Sequence, residues 1–124
     1  MENFFWVSMG AVLGANTRFI IYKKLEKIKL RKDFIILLIN TFSCFCLGLV
    51  ISILPEISDI NSSYKLALFC SIGYLGSLST FSTFIYDLFD LSIQFKFFQA
   101  FNLFIISLTL GIGFFVLGFL LGNQ

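Results

Sequence analysis

The sequence predicts an all-α membrane protein of four transmembrane helices, and three observations carry that expectation. Hydrophobic residues make up 58% of the 124 positions and charged residues 13%, against roughly 25% charged in an ordinary soluble domain. The apolar residues gather in four stretches, at about 4–22, 34–54, 66–88 and 97–121, each near the ~20 residues a helix needs to cross the hydrocarbon core. The loops between them are short, leaving no room for a soluble domain, so 1–124 is expected to form a single four-helix unit.

The first stretch, Phe4–Tyr22, is followed by three more and lacks a basic leader and a cleavage motif, so it is expected to be a retained span. Arg18 stands well inside it, about one turn from its basic end. A long cationic side chain there either snorkels to the headgroups or faces a vestibule where an anion arrives. In the second stretch Asn40 opens a polar surface continued by Thr41 and Ser43. A buried amide has two N–H donors that need partners in lipid, either a neighbouring helix or a ligand. Pro55 follows the span, where a helix stop is expected.

The third stretch is the unusual one. From Gly73 to Phe84 it reads Gly-Tyr-Leu-Gly-Ser-Leu-Ser-Thr-Phe-Ser-Thr-Phe, with hydroxyls at Ser77, Ser79, Thr80, Ser82 and Thr83. Glycines at Gly73 and Gly76 weaken the helix at the same place. A break at membrane depth persists only where it is buried in protein or lines a wet cavity, and interrupted helices hold ions in transporters. The third helix is therefore expected to be broken at mid-membrane, although small residues also serve as a helix-packing face. Phe81 and Phe84 share one helical face just beyond, and their ring edges carry partial positive charge. In the fourth stretch Ser107 and Gly111 are four apart and share a face, with Asn102 and Thr109 as further interruptions.

Several functions are excluded by what the spans lack. There is no histidine, hence no histidine metal site or acid–base chemistry. Cys44, Cys46 and Cys70 fall inside spans with nothing nearby to complete a zinc site, and serve as small apolar residues. Asp87 and Asp90 sit at the end of the third stretch and no carboxylate lies deeper, whereas a proton relay or cation pathway usually needs one. No nucleotide site, nucleic-acid surface or nucleophile–base pair is recognisable, so an enzyme is not expected. Neutral donors, aromatic rings and one arginine suit a small anion.

Lys23, Lys24, Lys27, Lys29, Arg31 and Lys32 crowd the first loop, Lys96 lies in the third, and Lys65 alone precedes the third span. Positive loops stay cytoplasmic, so loops one and three are expected inside and both termini outside. Attraction to anionic headgroups places the basic loop on the same side.

Three motifs in this order resemble the small bacterial fluoride channels, the Fluc or CrcB family, over the whole chain. Gly76-Ser77-Leu78-Ser79-Thr80-Phe81-Ser82-Thr83-Phe84 is similar to the family's G-G-L-T-T-F-S-T-F. Gly14-Ala15-Asn16-Thr17-Arg18-Phe19 resembles its first-helix G-A-x-x-R-[YF], and Asn40 with Ser43-Cys44-Phe45 and Gly48 its second-helix N-x-x-G-[ST]-F-x-x-G. The resemblance implies an antiparallel, dual-topology-type dimer in the cell inner membrane that exports fluoride from the cytoplasm through pores along the subunit interface. It implies a structural Na⁺ held by backbone carbonyls of Gly76 and Ser79, pore-lining Phe81 and Phe84, and Asn40 as a donor to fluoride. Thr80 and Ser82 would be polar support, Ser107 the fourth-helix pore serine, and Arg18 a vestibule residue.

The sequence also departs from that pattern. Ser77, Ser79 and Ser43 replace a glycine, a threonine and a glycine, and Leu103 and Gly111 stand where a tyrosine and a second serine often occur. Two alternatives remain: a small proton-coupled multidrug exporter, which uses an intramembrane glutamate whereas Glu2, Glu26 and Glu56 lie outside the four stretches, and a subunit that conducts only beside a paralogue. The charge bias argues for a single orientation, so the partner is expected to be an oppositely oriented paralogue in a heterodimer in place of a self-paired homodimer.

Overall fold

The computed structural model describes the backbone of residues 1–28, 31–57, 60–79 and 81–124, with the side chains of 55–63 outside the description. Thr80, a sequence-predicted site residue, and Lys29 of the basic loop lie outside the described residues. All regular structure among these residues is helical: α1 (Glu2–Glu26), α2 (Lys32–Ile57), α3 (Ile60–Ala67), a π-helical segment (Leu68–Leu75), α4 (Gly76–Leu78), α5 (Phe81–Ile93) and α6 (Phe97–Gly122). Four helical runs, Glu2–Glu26, Lys32–Leu54, Tyr64–Ile93 and Phe97–Gly122, are long and apolar enough to cross a membrane.

The helices pack as two close pairs. α1 lies along the π-helical segment and α4, while α2 lies along α6. Glycine sets the separation in both. A Cβ on Gly73 would meet the Val7 carbonyl oxygen at 2.6 Å, and one on Gly10 would meet the Tyr74 amide nitrogen at 2.9 Å. In the second pair a Cβ on Gly48 would meet the Phe119 amide nitrogen at 2.8 Å. Lipid tails are as apolar as leucine, so such close backbone approach, with its van der Waals contact, is what holds transmembrane helices together.

The two pairs join through a small core in which Ile35 and Ile39 of α2 meet Leu75 and Leu78 of the third pass, with Ile21, Tyr22 and Leu25 of α1 packed around them. Ser43 is buried there at 2% exposure, and its hydroxyl donates to the Ile39 carbonyl at 2.8 Å, so it brings no unsatisfied donor into the core.

Two features differ from the sequence expectation. α2 continues two residues past Pro55, to Ile57, although a proline withholds its N–H from the carbonyl four residues back and crowds it with its ring; the helix ends within the turn that follows. Leu68–Leu75 is wound with i→i+5 bonds where an ordinary helix is expected. The wider turn lets both Gly73 and Leu75, two residues apart, be buried, one against α1 and the other in the α2 core. Nothing in the residue spacing signals it.

The α5–α6 turn is closed by Lys96 N–H donating to the Leu91 carbonyl at 3.0 Å and Phe95 N–H to that of Ser92 at 3.0 Å. Phe95 takes φ 56 there, a left-handed conformation costly for a bulky residue.

Candidate functional site

The geometry starts at the end of α4. Ser79 has φ −71 and ψ 146, extended backbone directly after the helical Leu78. Its N–H donates to the Leu75 carbonyl at 3.1 Å and its hydroxyl to the same oxygen at 3.2 Å. The Ser79 side chain is thereby turned back onto its own helix. α5 resumes at Phe81, so the amide end of one helix follows closely on the carbonyl end of another. An N-terminus concentrates partial positive charge from unpaired N–H groups.

Beside Ser79 lies a cavity of about 350 Å³. It is lined by Asn40 and Cys44 of α2, Phe81 and Phe84 of α5, and Phe104, Ser107 and Gly111 of α6, with Leu108 and Ile112 completing its apolar wall. Helical spacing explains the set: Asn40 and Cys44 are one turn apart, as are Ser107 and Gly111. Phe81 and Phe84 have ring centroids 6.4 Å apart at 45°, and Phe84 stacks on Phe104 at 6.4 Å and 28°. Among the described residues no carboxylate lines it. Polar contact with a guest falls to the Asn40 amide, the Ser79 and Ser107 hydroxyls and the Cys44 thiol, set among phenylalanine rings.

The structure therefore brings Asn40, Phe81, Phe84, Ser107 and Ser79 to one cavity. Arg18 is placed elsewhere, in a second cavity of about 270 Å³ lined by Ala15, Phe19, Tyr22, Ile36, Ile39 and Thr83. Thr83 and Phe84 are neighbours in sequence but border different cavities, so α5 stands between the two. Ser82 is exposed and borders neither described cavity. Thr109, a fourth-stretch interruption, donates to the Ile105 carbonyl at 2.8 Å and borders neither cavity. Sequence reasoning missed Cys44, Phe104 and Gly111 as lining residues. Their signal was register: Cys44 lies one turn after Asn40, and Phe104 and Gly111 one turn to either side of Ser107.

Gly76 is exposed on the surface of the chain, and a Cβ on it would meet only the Ser71 carbonyl oxygen at 3.6 Å. Among the described residues no neighbour demands a glycine there. Among the described residues no group of three His, Cys, Asp or Glu side chains is placed to hold a metal. The residue whose N–H would pair with the Gly76 carbonyl in a continuing helix is residue 80, outside the described residues.

Residues 5–119 match the family described as "CrcB-like protein, Camphor Resistance (CrcB)". The chain belongs to the CrcB family. A curated relative from Prochlorococcus marinus strain NATL2A, a "Fluoride-specific ion channel FluC 2", is 52% identical over 124 residues, 100% of both chains. Another FluC 2, from P. marinus strain SARG, is 36% identical over 94% of this chain and 89% of the relative. A "Fluoride-specific ion channel FluC 1" from P. marinus strain MIT 9313 is 35% identical over 60% of this chain and 57% of the relative. The CrcB-family match takes in every residue that lines the 350 Å³ cavity.

Proposed function

We propose that this chain is a subunit of a fluoride-selective channel that lets F⁻ leave the cytoplasm down its gradient, and that it is not an enzyme. The observation that carries the reading is the single cavity lined by Asn40, Phe81, Phe84 and Ser107 from three helices, in a family whose relatives are named fluoride-specific channels. Fluoride enters cells as neutral HF and is trapped inside by ionisation, so an open pore is sufficient for detoxification. Its hydration is strong, and an ion taken from water into apolar surroundings costs tens of kcal/mol in the limit of no compensation. The Asn40 amide, the Ser107 hydroxyl and the edges of Phe81 and Phe84 replace that water, with Thr80 and Ser82 as flanking hydroxyls. Arg18, in the neighbouring cavity, raises the local anion concentration at the mouth.

The functional unit in this reading is an antiparallel dimer in the cell inner membrane. Two exposed features support a partner. Phe81 is 75% exposed although it lines the cavity, and Gly76 lies open at the surface. The third span is read as broken at mid-membrane, supported by the extended Ser79. Main-chain oxygens of Gly76 and Ser79 suit Na⁺, a hard cation that takes neutral oxygen ligands; once bound it would tie the two subunits at their axis. The charge bias across the loops supports one insertion orientation, hence a heterodimer, and relatives numbered FluC 1 and FluC 2 fit a division into two subunit types.

The test is anion efflux from liposomes containing the purified chain, alone and with a paralogue, comparing fluoride with chloride. Fluoride efflux with chloride retained is the expected result; a pH-driven efflux of organic cations with no fluoride flux would replace the channel by an exporter.

A further inference from the structure

Phe104 lies outside every motif of the sequence, yet it makes the nearest-parallel ring contact of the described cavity, with Phe84 at 6.4 Å and 28°. Phe84 belongs to a helix with little anchorage of its own. α5 has no buried residue over its 13 positions, and its main packing is against α6. An unsupported ring on such a helix is free to swing through its rotamers.

Ring orientation matters because the two surfaces of a phenyl group have opposite electrostatic character, the face negative and the edge positive. A Phe84 face turned into the cavity repels an anion. A ring whose face is covered by another ring leaves its edge to meet the guest. Phe104 flanks one face of Phe84 from α6 in an offset stack, and Ser107 stands one turn further along the same side of that helix, lining the same cavity. α6 thus presents an aromatic support and a hydroxyl in register.

We infer that Phe104 is a positioning residue for anion selectivity: by stacking on Phe84 it withdraws a repulsive ring face from the cavity and fixes the attractive edge toward the ion. The inference rests on the channel reading of this cavity. It assigns to α6 a role in selectivity beyond its serine, acting through Phe84.

Phe104→Leu, Phe104→Tyr and Phe84→Ile, and the Phe104→Leu/Phe84→Ile double variant, are reconstituted as for the unsubstituted protein, with a paralogue where it needs one. The expected result for Phe104→Leu is about a tenfold fall in fluoride flux with assembly retained, equivalent to ~1.4 kcal/mol on the barrier. Phe104→Tyr, which keeps the ring, retains flux. In the Phe84→Ile background Phe104→Leu has no further effect, since residues acting as one unit are non-additive. Additive losses, unchanged flux in Phe104→Leu, or loss in Phe104→Tyr equal to that in Phe104→Leu overturns the inference and leaves the channel reading standing. No fluoride flux from the unsubstituted protein, alone or paired, overturns both.

Discussion

The carbonyl oxygen of Phe45 on α2 occupies the place where a side-chain carbon on Gly118 of α6 would stand, and the Leu49 amide nitrogen is 3.1 Å from the same point. Gly48 answers from the other helix, with the Phe115 carbonyl against it. Backbone therefore meets backbone at both crossings, and no flexible side chain is available to move aside. This crossing fixes the distance between Asn40 and Cys44 on one helix and Ser107 and Gly111 on the other.

Gly118→Ala should accordingly push α2 and α6 apart, costing about 1–3 kcal/mol by overpacking. Gly113→Ala on the same helix is the control, because a Cβ there meets nothing within 4 Å. Unfolding in a mixed-micelle denaturant titration reads the difference, which disappears if the crossing is loose.

Phe81→Ile and Phe84→Ile keep bulk and apolarity while removing the ring edge. Each should assemble normally and lose an order of magnitude or more of fluoride flux, roughly 1.4 kcal/mol on the barrier. Unchanged flux in both variants would reduce the two rings to packing.

Ser79→Ala is expected to retain assembly, sodium dependence and flux. Its hydroxyl donates to the Leu75 carbonyl, which also accepts from the Ser79 N–H, so removing it orphans no acceptor. Interhelical or local hydroxyl bonds in membranes are in any case worth only about 0.6 kcal/mol on average. Loss of sodium dependence in this variant would move the cation from main-chain to side-chain oxygen.

Phe95→Gly should raise the thermal midpoint. Phe95 sits at φ 56 in the α5–α6 turn, and a non-glycine residue there costs of order 1–3 kcal/mol, more than the ~0.5–1 kcal/mol that glycine's extra freedom takes back. A lower midpoint would mean that the contact of its ring with Phe97, 6.2 Å away, outweighs the backbone strain.

Single cysteines at Asn3 and Asn123, in a background lacking the native three, report orientation. Labelling of both from outside intact cells is the expected pattern. Equal inside and outside populations, or robust flux from this chain alone, would remove the need for an oppositely biased partner.

Which properties a residue pattern can reveal follows from the range of the interactions concerned. Hydropathy over some twenty residues is a local sum, so the four spans were legible, as was the local disturbance around Ser79 where glycines and hydroxyls cluster. Asn40 and Ser107 were legible as polar exceptions within apolar runs, and Phe81 and Phe84 by their place directly after the hydroxyl-rich stretch. Phe104 and Cys44 were not, because a phenylalanine among 18 or a small thiol in an apolar span carries no contrast with its surroundings.

The sequence by itself determined the membrane class, the four helices and the chemical character of the site, because bilayer length, charge content and the absence of deep carboxylates depend on composition along one strand of chain. Only the tertiary structure decided which exceptions meet. Whether Asn40 shares a cavity with Ser107 while Arg18 lies in another, and whether Phe84 leans on Phe104, depends on the α2–α6 crossing at Gly48 and Gly118 and on the wide π turn that sets Gly73 against α1. These are contacts between residues far apart in the chain, and their geometry is fixed by backbone approach, which no local pattern encodes.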